Sequence, residues 1–350
     1  MSSSLLKTQL LDNVAEAAEY LKRGKLVAFP TETVFGLGAD ASNPQAIARL
    51  FAAKGRPADN PLIVHVGDTQ DWALAAAELP DIARRILEHF SPGPVSVVIA
   101  RSAAICNSVT AGLKTVGLRI PTPQVTRDLL RAAQLPIAAP SANLSGRPSA
   151  TSWQSVLEDL DGRIDAILCV NVENVGLEST VIDCTGDAPV ILRPGGIGLA
   201  QLQIHFPEAR CWNDEPTAGQ GRGGEPVGRA VECPPLGSPG LRHPHYQPRA
   251  RVQLLEAGQP WPPGDVSSVG NLSSLAYAYA GCTAPPPGMG LSRQFHSLAE
   301  YAHDFYEFLR EADRAHIDVI GLEAVSIEAA RGAGIAAALR DRQRRAAGLH

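Results

Sequence analysis

The chain has 350 residues and a mass of 37.0 kDa, with 45% hydrophobic and 19% charged residues and a formal net charge of -5 at pH 7. This length exceeds that of most single-core domains, so we expect two domains, and the composition is that of an ordinary globular protein. The negative charge excludes a protein that coats nucleic acid or an anionic membrane with its whole surface, so any phosphate site must be local.

The N-terminal segment and the cysteines indicate the compartment. Asp12, Glu16 and Glu19 interrupt the first apolar pattern, which a secretory signal does not tolerate, and no apolar run approaches the roughly 18 residues that span a bilayer. The six cysteines are scattered, without a C-x-x-C pair or histidines at metal-ligand spacing. We therefore expect a cytoplasmic protein with reduced thiols, no metal site made of protein side chains and no membrane contact.

The first half of the chain alternates between helical and strand patterns. A helix is expected to end at Gly24, and the strand LVAF then leads into a turn-rich loop, PTETVFGLGAD. Asn43 and Pro44 predict the start of the next helix and Gly55 its end. Further predicted helices are PDIARRILEHF and TPQVTRDLLRAAQ, and further strands are LIVHV, PVSVVIA, VGLRIP, PIAAPSAN and the hairpin pair STVIDCT and PVILRPG. The fold class is α/β, with a twisted sheet that is not purely parallel.

A change in composition divides the chain. Between residues 213 and 250 Gly and Pro are dense and apolar periodicity is lost, which is typical of a linker, and its arginines could form a basic strap over an anionic ligand. Beyond it, RVQLLEA, VSSVGNL, SLAEYAHDFYEFLREADRA, IDVIGLEAV and GIAAALRDRQRRAA alternate between strand and helix. We expect a first domain over residues 1–212, a Gly/Pro-rich linker over 213–250 and a small α/β domain over 251–350.

The first group of candidate site residues lies between Phe29 and Val66, around two element ends, where α/β folds place ligands. Lys54 and Arg56 are two positions apart where a helix passes into a loop, so both can face one cleft. An ammonium beside a planar guanidinium suits a polyphosphate. That both residues only favour the C-terminal end of the helix is an alternative which this stretch alone leaves open.

A second loop, PSANLSGRPSATS, offers hydroxyl, amide and backbone N–H groups to phosphate or ribose oxygens. Ser141 and Asn143 are functional candidates, whereas a turn or a helix cap explains Ser149 nearly as well. Arg119 follows an apolar strand and would be costly to bury unless a substrate carboxylate or an internal Glu neutralises it. Arg193 stands at a rigid bend that could aim its guanidinium at phosphate. The residues alone support a local polyphosphate cleft.

Six segments taken in order, PTETVFGLGADA, KGRPADNPLIVHV, TAGLKTVGLRIP, PSANLSG, GLESTVID and ILRPGGI, resemble the motif series of the YrdC-like threonylcarbamoyl-AMP synthase family. The resemblance covers about residues 12 to 205, and six motifs in order are far more specific than one. The segments SPGLRHPHYQP and GAGIAAALRDRQRRAAG are similar to long members of the family. The resemblance implies a YrdC-like catalytic domain, a twisted mixed sheet with flanking helices, followed by a linker over the active site and a smaller C-terminal Rossmann-like α/β domain.

The activity that the resemblance implies is that of a nucleotidyltransferase. L-threonine, bicarbonate and ATP would condense to L-threonylcarbamoyladenylate with release of pyrophosphate, for threonylcarbamoyladenosine formation at tRNA position 37. ATP would be a substrate accompanied by Mg²⁺, and a separate transferase would move the product to tRNA. The catalytic group would be Lys54, Arg56, Ser141 and Asn143. Threonine would be held by Thr33, His65, Arg119, Ala139 and Ser179. ATP would be held by Arg56, Asn60, Thr115, Ser141, Ser149, Arg193 and Tyr246.

Two alternatives remain open at this point. One is a carbamoyl-adenylate former like the YrdC-like domain of hydrogenase-maturation carbamoyltransferases, whose zinc-finger and transferase regions nothing in the sequence resembles. The other is a module that binds double-stranded RNA on a concave basic surface without catalysis, and salt-sensitive RNA binding unaffected by threonine or ATP would favour it. We also expect Lys54 and Arg56 to be exposed cleft residues, each contributing less than about 1 kcal/mol to stability.

Overall fold

The computed structural model describes residues 7–212, 246–256, 259, 261, 275–332 and 334–349. These residues form a large mixed sheet with flanking helices and a separate, smaller parallel sheet. The predicted α/β class and the sheet that is not purely parallel are therefore confirmed. Within the described ranges, no helix combines the length and the apolar character that crossing a bilayer requires.

The large sheet has eleven strands among the described residues, in the order β1-β8-β2-β3-β7-β4-β6-β5-β9-β10-β11. The strands are β1 (Gln9–Leu11), β2 (Val27–Phe29), β3 (Gly36–Asp40), β4 (Ile63–His65), β5 (Val95–Ala100), β6 (Thr115–Arg119), β7 (Ile137–Ala138), β8 (Ala166–Leu168), β9 (Thr180–Asp183), β10 (Val190–Arg193) and β11 (Arg210–Cys211). The helices are α1 (Val14–Lys22), α2 (Pro44–Lys54), α3 (Asp81–Phe90), α4 (Gln124–Ala133), α5 (Trp153–Leu160) and α6 (Leu199–Gln203), with a 3-10 helix at Thr69–Leu74.

The C-terminal domain contains the second sheet, whose four described strands are all parallel in the order β12-β15-β13-β14. Its strands are β12 (Arg251–Leu255), β13 (Tyr277–Gly281), β14 (Leu291–Gln294) and β15 (Val319–Glu323), and its helices are α7 (Leu298–Arg314), α8 (Ile327–Gly332) and α9 (Gly334–Ala346). Helix α7 supplies much of the apolar core through Phe305, Phe308 and Leu309, which are fully buried. The predicted strand VSSVGNL lies outside the described residues.

Local signals located several elements correctly. The side chain of Asn43 accepts hydrogen bonds from the first turn of α2, and Gly55 ends the helix in a left-handed conformation with φ 61°. Asparagine satisfies the unpaired N–H groups at a helix start, and glycine reaches positive φ without strain. The predicted hairpin is also confirmed, because β9 and β10 pair in antiparallel orientation.

Two expectations at the N-terminal end were wrong. The residues Gln9–Leu11 form strand β1, where a helix was expected, because they pair in parallel with β8. The supposed loop contains strand β3, which lies between β2 and β7. Glycine is required in β3 because a larger residue would clash: a Cβ on Gly38 would lie 2.7 Å from the ring of Phe29. A turn conformation is not the reason, since the φ angle of Gly38 is not positive. Glycine in a strand often marks such a close approach.

The two domains meet at points where backbone touches backbone. A Cβ on Gly176, which has φ 77°, would lie 2.4 Å from the carbonyl oxygen of His303 on α7. A Cβ on Gly334, the first residue of α9, would lie 2.3 Å from the backbone nitrogen of Gly198. Contacts this short leave no room for any side chain, so α7 and α9 are held at fixed positions against the first domain.

Candidate functional site

A cleft of about 680 Å³, its open mouth included, crosses the central strands of the large sheet. His65 ends β4 and Arg119 ends β6, and these two residues are partners in the parallel register of the strands, so they lie side by side. Ser179 directly precedes β9, and Arg193 ends β10. Side chains from the ends of four strands therefore meet at one cleft.

Most of the predicted site residues line this cleft. They are Thr33, Arg56, His65, Arg119, Ala139, Ser141, Asn143, Ser179, Arg193 and Tyr246. The other predicted residues, Lys54, Asn60, Thr115 and Ser149, are not among the described residues that line it. The six motifs thus converge on one place, and the residues outside the cleft have other contacts.

Arg119 has an internal acidic partner, one of the two possibilities that its position left open. Its Nη2 donates to Oε1 of Glu32 at 2.8 Å, and both side chains are buried. The second oxygen of Glu32 accepts from the backbone N–H of Thr122 at 3.0 Å. Within the described part of the chain, Nε of Arg119 has no hydrogen-bond partner. Arg119 is therefore neutralised internally and still has a buried donor for a ligand.

His65 is kept neutral beside Arg119. Burial, and then the charge of Arg119, lower the pKa of its imidazole from 6.5 to about 3. Its Nδ1 is buried and has no hydrogen-bond partner among the described residues. A neutral imidazole with one unsatisfied nitrogen can bond a hydroxyl or an amine without adding charge.

Ser179 and Arg193 are joined across the strand pair β9 and β10. Nη2 of Arg193 donates to the carbonyl oxygen of Ser179 at 2.9 Å and to its Oγ at 3.2 Å. The Ser179 hydroxyl also lies 2.8 Å from Oγ of Ser96. Burial, and then the charge of Arg342, lower the pKa of Arg193. The guanidinium is held in a defined orientation at the wall of the cleft.

Arg56 stands in the loop after α2. Its Nη2 donates to the carbonyl oxygen of Pro61 at 3.0 Å and its Nε to that of Asn60 at 3.3 Å. Burial is the main cause that lowers the pKa of Arg56 to about 10, so the group remains a cation at neutral pH. Asn60 itself is buried, and its backbone orients Arg56.

Lys54 corrects our expectation of an exposed cleft residue, because it is only 2% exposed. Its Nζ donates to the carbonyl oxygen of Ser141 at 2.5 Å and also to that of Asn143. Burial, and then the charge of Arg56, hold the pKa of Lys54 well below its usual value. Lys54 thus fixes from behind the loop that carries two cleft residues.

The loop after β7 is held by several further contacts. Nδ2 of Asn143 donates to the carbonyl oxygens of Leu144 and Arg147, at 2.8 and 2.9 Å. Its Oδ1 is buried and, among the described residues, has no hydrogen-bond partner. The Asp159 carboxylate accepts from the Leu144 N–H and from Nη1 of Arg147. These hydrogen bonds define the conformation of the loop, and one amide oxygen remains for a ligand.

Glu178 is a cleft residue to which the sequence analysis assigned no role. Its carboxylate accepts from Oγ of Ser149 at 2.7 Å, from the Tyr306 hydroxyl and from Nε of Arg342 at 2.8 Å. Burial alone would raise its pKa, but Arg342 and then Arg193 lower it to about 2. An acid two residues before the apolar strand TVID is a signal of a buried partner, but the sequence does not show where that partner lies.

Of the predicted ATP-binding residues Tyr246 and Thr115, only Tyr246 lines the cleft. Tyr246 lines the cleft, with its ring centroid 5.2 Å from that of Tyr306 and 5.6 Å from Cζ of Arg342. Thr115 begins β6, and Arg119 lies at the other end of the same strand. The predicted linker is described only from Tyr246 onwards, so residues 213–245 lie outside the described ranges.

The charges of the cleft favour an anionic ligand. Four guanidinium groups line it, from Arg56, Arg119, Arg147 and Arg193, and two of them have acidic partners behind the wall, Glu32 for Arg119 and Asp159 for Arg147. Among the described lining residues Glu178 is the one acid, and Arg342 neutralises it. Clustered guanidinium groups in a partly closed cleft bind carboxylates and phosphates strongly.

Comparisons with known proteins find relatives over most of the chain. A family model described as "Telomere recombination" (Sua5_yciO_yrdC) matches residues 19–195, and one described as "Threonylcarbamoyl-AMP synthase, C-terminal domain" matches residues 217–348. The threonylcarbamoyl-AMP synthase of Pyrococcus abyssi is 36% identical over 338 residues, which are 95% of this chain and 93% of that protein. That of Bacillus subtilis is 40% identical over 69% of this chain and 66% of its own.

A solved structure agrees over nearly the full length. P. abyssi Sua5 complexed with L-threonine superposes with a TM-score of 0.79 and 33% identity, and covers 98% of this chain and 97% of its own. The likeness includes both domains, and the two family models match one domain each. The chain therefore belongs to the threonylcarbamoyl-AMP synthase family.

Proposed function

We propose that the chain condenses L-threonine, bicarbonate and ATP to L-threonylcarbamoyl-AMP and pyrophosphate. The observation that carries the proposal is the convergence of four guanidinium groups on one cleft that also contains a neutral imidazole and several hydroxyls. Threonine has a carboxylate, bicarbonate is itself an anion, and ATP has a triphosphate. Guanidinium groups in one cleft can bind both carboxylate-like anions and phosphates.

Threonine would bind at the end of the cleft formed by β4, β6 and β9. The free Nε donor of Arg119 would meet its carboxylate, and His65 would bond its hydroxyl or amine. Thr33, Ser179 and the backbone of Ala139 complete this end. The neutral state of His65 is supportive, because a second cation beside Arg119 would be repelled.

ATP would lie between Arg56, Arg193 and the loop of Ser141 and Asn143. The threonine amine takes up bicarbonate and releases water, which gives a carbamate. A carbamate oxygen then forms a bond to the α-phosphorus, and the bond from that phosphorus to the bridging oxygen breaks as pyrophosphate leaves. The nucleophile comes from the substrate, so the protein has to position the reactants and stabilise negative charge.

Magnesium would enter with ATP as part of the substrate. The described residues contain no group of three or more His, Cys, Asp or Glu side chains that could hold a metal ion. Oxygens of the triphosphate are suitable Mg²⁺ ligands, since Mg²⁺ keeps several waters and few protein contacts. The guanidinium groups would then share the remaining charge.

Lys54 has an indirect role in this proposal. The sequence predicts that its ammonium acts on a polyphosphate directly, but both of its hydrogen bonds go to the carbonyl oxygens of Ser141 and Asn143. It would position the loop that contacts the nucleotide. Ser149 would also act indirectly, because its hydroxyl donates a hydrogen bond to the carboxylate of Glu178.

The product would serve a second enzyme in the cytoplasm, a transferase that moves the threonylcarbamoyl group to tRNA. A carbamoyl-phosphate anhydride is an activated acyl group, which suits transfer to a nucleophilic amine. We also propose that residues 1–212 form the catalytic domain, residues 213–250 a linker over the cleft and residues 251–350 the C-terminal domain. Tyr246 supports the linker assignment, because it lines the cleft.

The test is pyrophosphate release by the purified chain with Mg²⁺ and ATP, with threonine or bicarbonate omitted in turn. We expect release only with both, and a product with the mass of threonylcarbamoyl-AMP.

Arg56→Met should lower the rate about 100-fold, the usual effect of removing one charge-stabilising group. Arg84→Met, at an exposed ion pair on α3, is the matched control and should keep the rate. Release that needs neither threonine nor bicarbonate would contradict the proposal.

A further inference from the structure

Arg342 of α9 reaches out of the C-terminal domain and contacts the first domain beside the cleft. Its side chain is fully buried. Nε donates to Oε2 of Glu178 at 2.8 Å, and Nη2 donates to the carbonyl oxygen of Pro194 at 3.2 Å. Glu178 precedes Ser179 in the chain, and Pro194 follows Arg193. The Arg342 guanidinium therefore contacts the chain neighbours of two cleft residues, Ser179 and Arg193.

The charge of Arg342 also matters to the cleft. Glu178 lines the cleft, where an uncompensated carboxylate would repel the anions of the proposed reaction. It would also compete with those anions for Arg193, since Arg193 is a second cation that acts on Glu178. Removing one partner of a buried ion pair leaves the other charge unbalanced, which has a larger effect than removing an exposed charge.

The docking of α9 leaves little freedom in this contact. Gly334 at the start of α9 lies against the backbone of Gly198. A Cβ on Gly195 would lie 2.1 Å from the backbone nitrogen of Thr180, so the bend after Arg193 is packed directly on the start of β9. Side chains held between close-packed backbones transmit small displacements.

We propose that Arg342 is a positioning residue of the synthase reaction, which from the C-terminal domain fixes Ser179 and Arg193 in the cleft and cancels the charge of Glu178. The inference rests on the proposed function for its substrates. It gives the C-terminal domain a defined part in substrate binding, as the source of a charge that the first domain needs.

The experiment compares five full-length variants by pyrophosphate release, with Glu178→Gln alone among them and with kcat and KM for ATP and threonine measured separately. Arg342→Met should raise the KM for ATP about tenfold, as expected when a negative charge is left beside a bound triphosphate. Arg342→Lys should have a smaller effect, because it keeps the charge. Glu178→Gln combined with Arg342→Met should recover much of the KM for ATP, because the carboxylate at the cleft is then gone, and Asp341, the other acidic partner of Arg342, keeps its ion pair with Arg345. Arg293→Met is the control, since Arg293 pairs with Asp304 and Glu311 inside the C-terminal domain.

The outcome of the double variant separates positioning from general stability. If Arg342 only supported the fold, removing Glu178 as well would leave the KM as high as in the single variant, and the proposal would be wrong. Urea unfolding of each variant shows whether it is folded at the assay temperature. If Arg342→Met does not fold, the double variant is compared with Glu178→Gln alone, and a KM for ATP about tenfold higher in the double variant would contradict the proposal, because no charge on Glu178 is then left to cancel.

A binding measurement tests the role of Arg342 independently of the proposed function. Calorimetry gives the affinity of each variant for a non-hydrolysable ATP analogue. If the wild-type chain releases no pyrophosphate, the proposed function fails. Weaker binding of the analogue to Arg342→Met, restored in the double variant, would still support the role of Arg342. Equal affinities in the wild type and in Arg342→Met would overturn it.

Discussion

The ammonium nitrogen of Lys54 lies 2.5 Å from the carbonyl oxygen of Ser141 and donates a hydrogen bond to it. A second hydrogen bond goes to the carbonyl oxygen of Asn143. The last residue of α2 therefore holds the loop that follows β7, and a residue first assigned to ligand binding by its charge is also part of the framework of the site.

Lys54→Met should lower the free energy of unfolding by about 2–4 kcal/mol, because two buried carbonyl oxygens lose their donor. Urea unfolding measures this loss. Lys22→Met is a matched control at the end of α1, where Lys22 forms an exposed pair with Glu19, and we expect a change below about 1 kcal/mol. A loss in Lys54→Met as small as that in the control would mean that the two hydrogen bonds add little to stability.

His65→Gln should change how stability depends on pH. The pKa of His65 in the fold is about 3, below its ordinary value of 6.5, so its contribution is fully present above pH 6.5 and is lost as the pH falls towards 3. Between pH 6.5 and pH 5 the wild type should lose about 2 kcal/mol from this residue. His65→Gln should lack that part of the loss. Parallel stability curves for the two proteins over this range would disprove the shifted pKa.

Arg310→Met should destabilise the contact between α7 and the first domain. Arg310 is 1% exposed and donates to both carboxylate oxygens of Asp159, which is fully buried, at 3.2 and 2.9 Å. Removing one partner of a buried pair costs about 3–5 kcal/mol. Arg314→Met, one helical turn further on, is the control: its side chain is 45% exposed, and the loss should stay within about 1 kcal/mol. Equal losses would show that burial does not determine the effect.

Gly176→Ala should weaken the docking of the C-terminal domain. The added Cβ would meet the backbone of α7 at 2.4 Å, and the residue has positive φ. We expect a loss of about 2–4 kcal/mol in thermal or urea unfolding, from strain and overpacking together. Gly112→Ala has a similar φ of 81° and open space around its Cβ, so it isolates the backbone term, about 1 kcal/mol. Similar losses in both variants would argue against a close domain contact.

The sequence was sufficient wherever a signal was local. Asn43, Pro44 and Gly55 predicted both ends of α2, because capping depends on residues within one turn. The same reasoning fails for β3, because the glycines of PTETVFGLGAD predict a turn-rich loop. Their actual reason is the ring of Phe29 on the neighbouring strand, and only the folded chain shows that contact.

The candidate site shows the same division. The resemblance groups residues from six motifs into one site, and most of them line one cleft. The resemblance did not identify the acidic partners of the arginines. An internal Glu was one of two partners considered for Arg119, but its identity as Glu32 depends on a contact 87 residues away in the chain. The role of Glu178 depends on Arg342, which no spacing argument connects to it.

The ion pair between Glu178 and Arg342 also has a consequence for synthesis of the protein on the ribosome. The two residues are 164 positions apart, and Arg310 is 151 positions from Asp159. All strands of the large sheet are translated long before α7 and α9 emerge, so a nascent first domain would have its cleft residues without their distant arginine partners. Closing such long loops is also entropically costly. Substrate affinity should therefore rise only once Arg342 can pack against Glu178, and nascent chains stalled before that residue should bind ATP more weakly than the released protein.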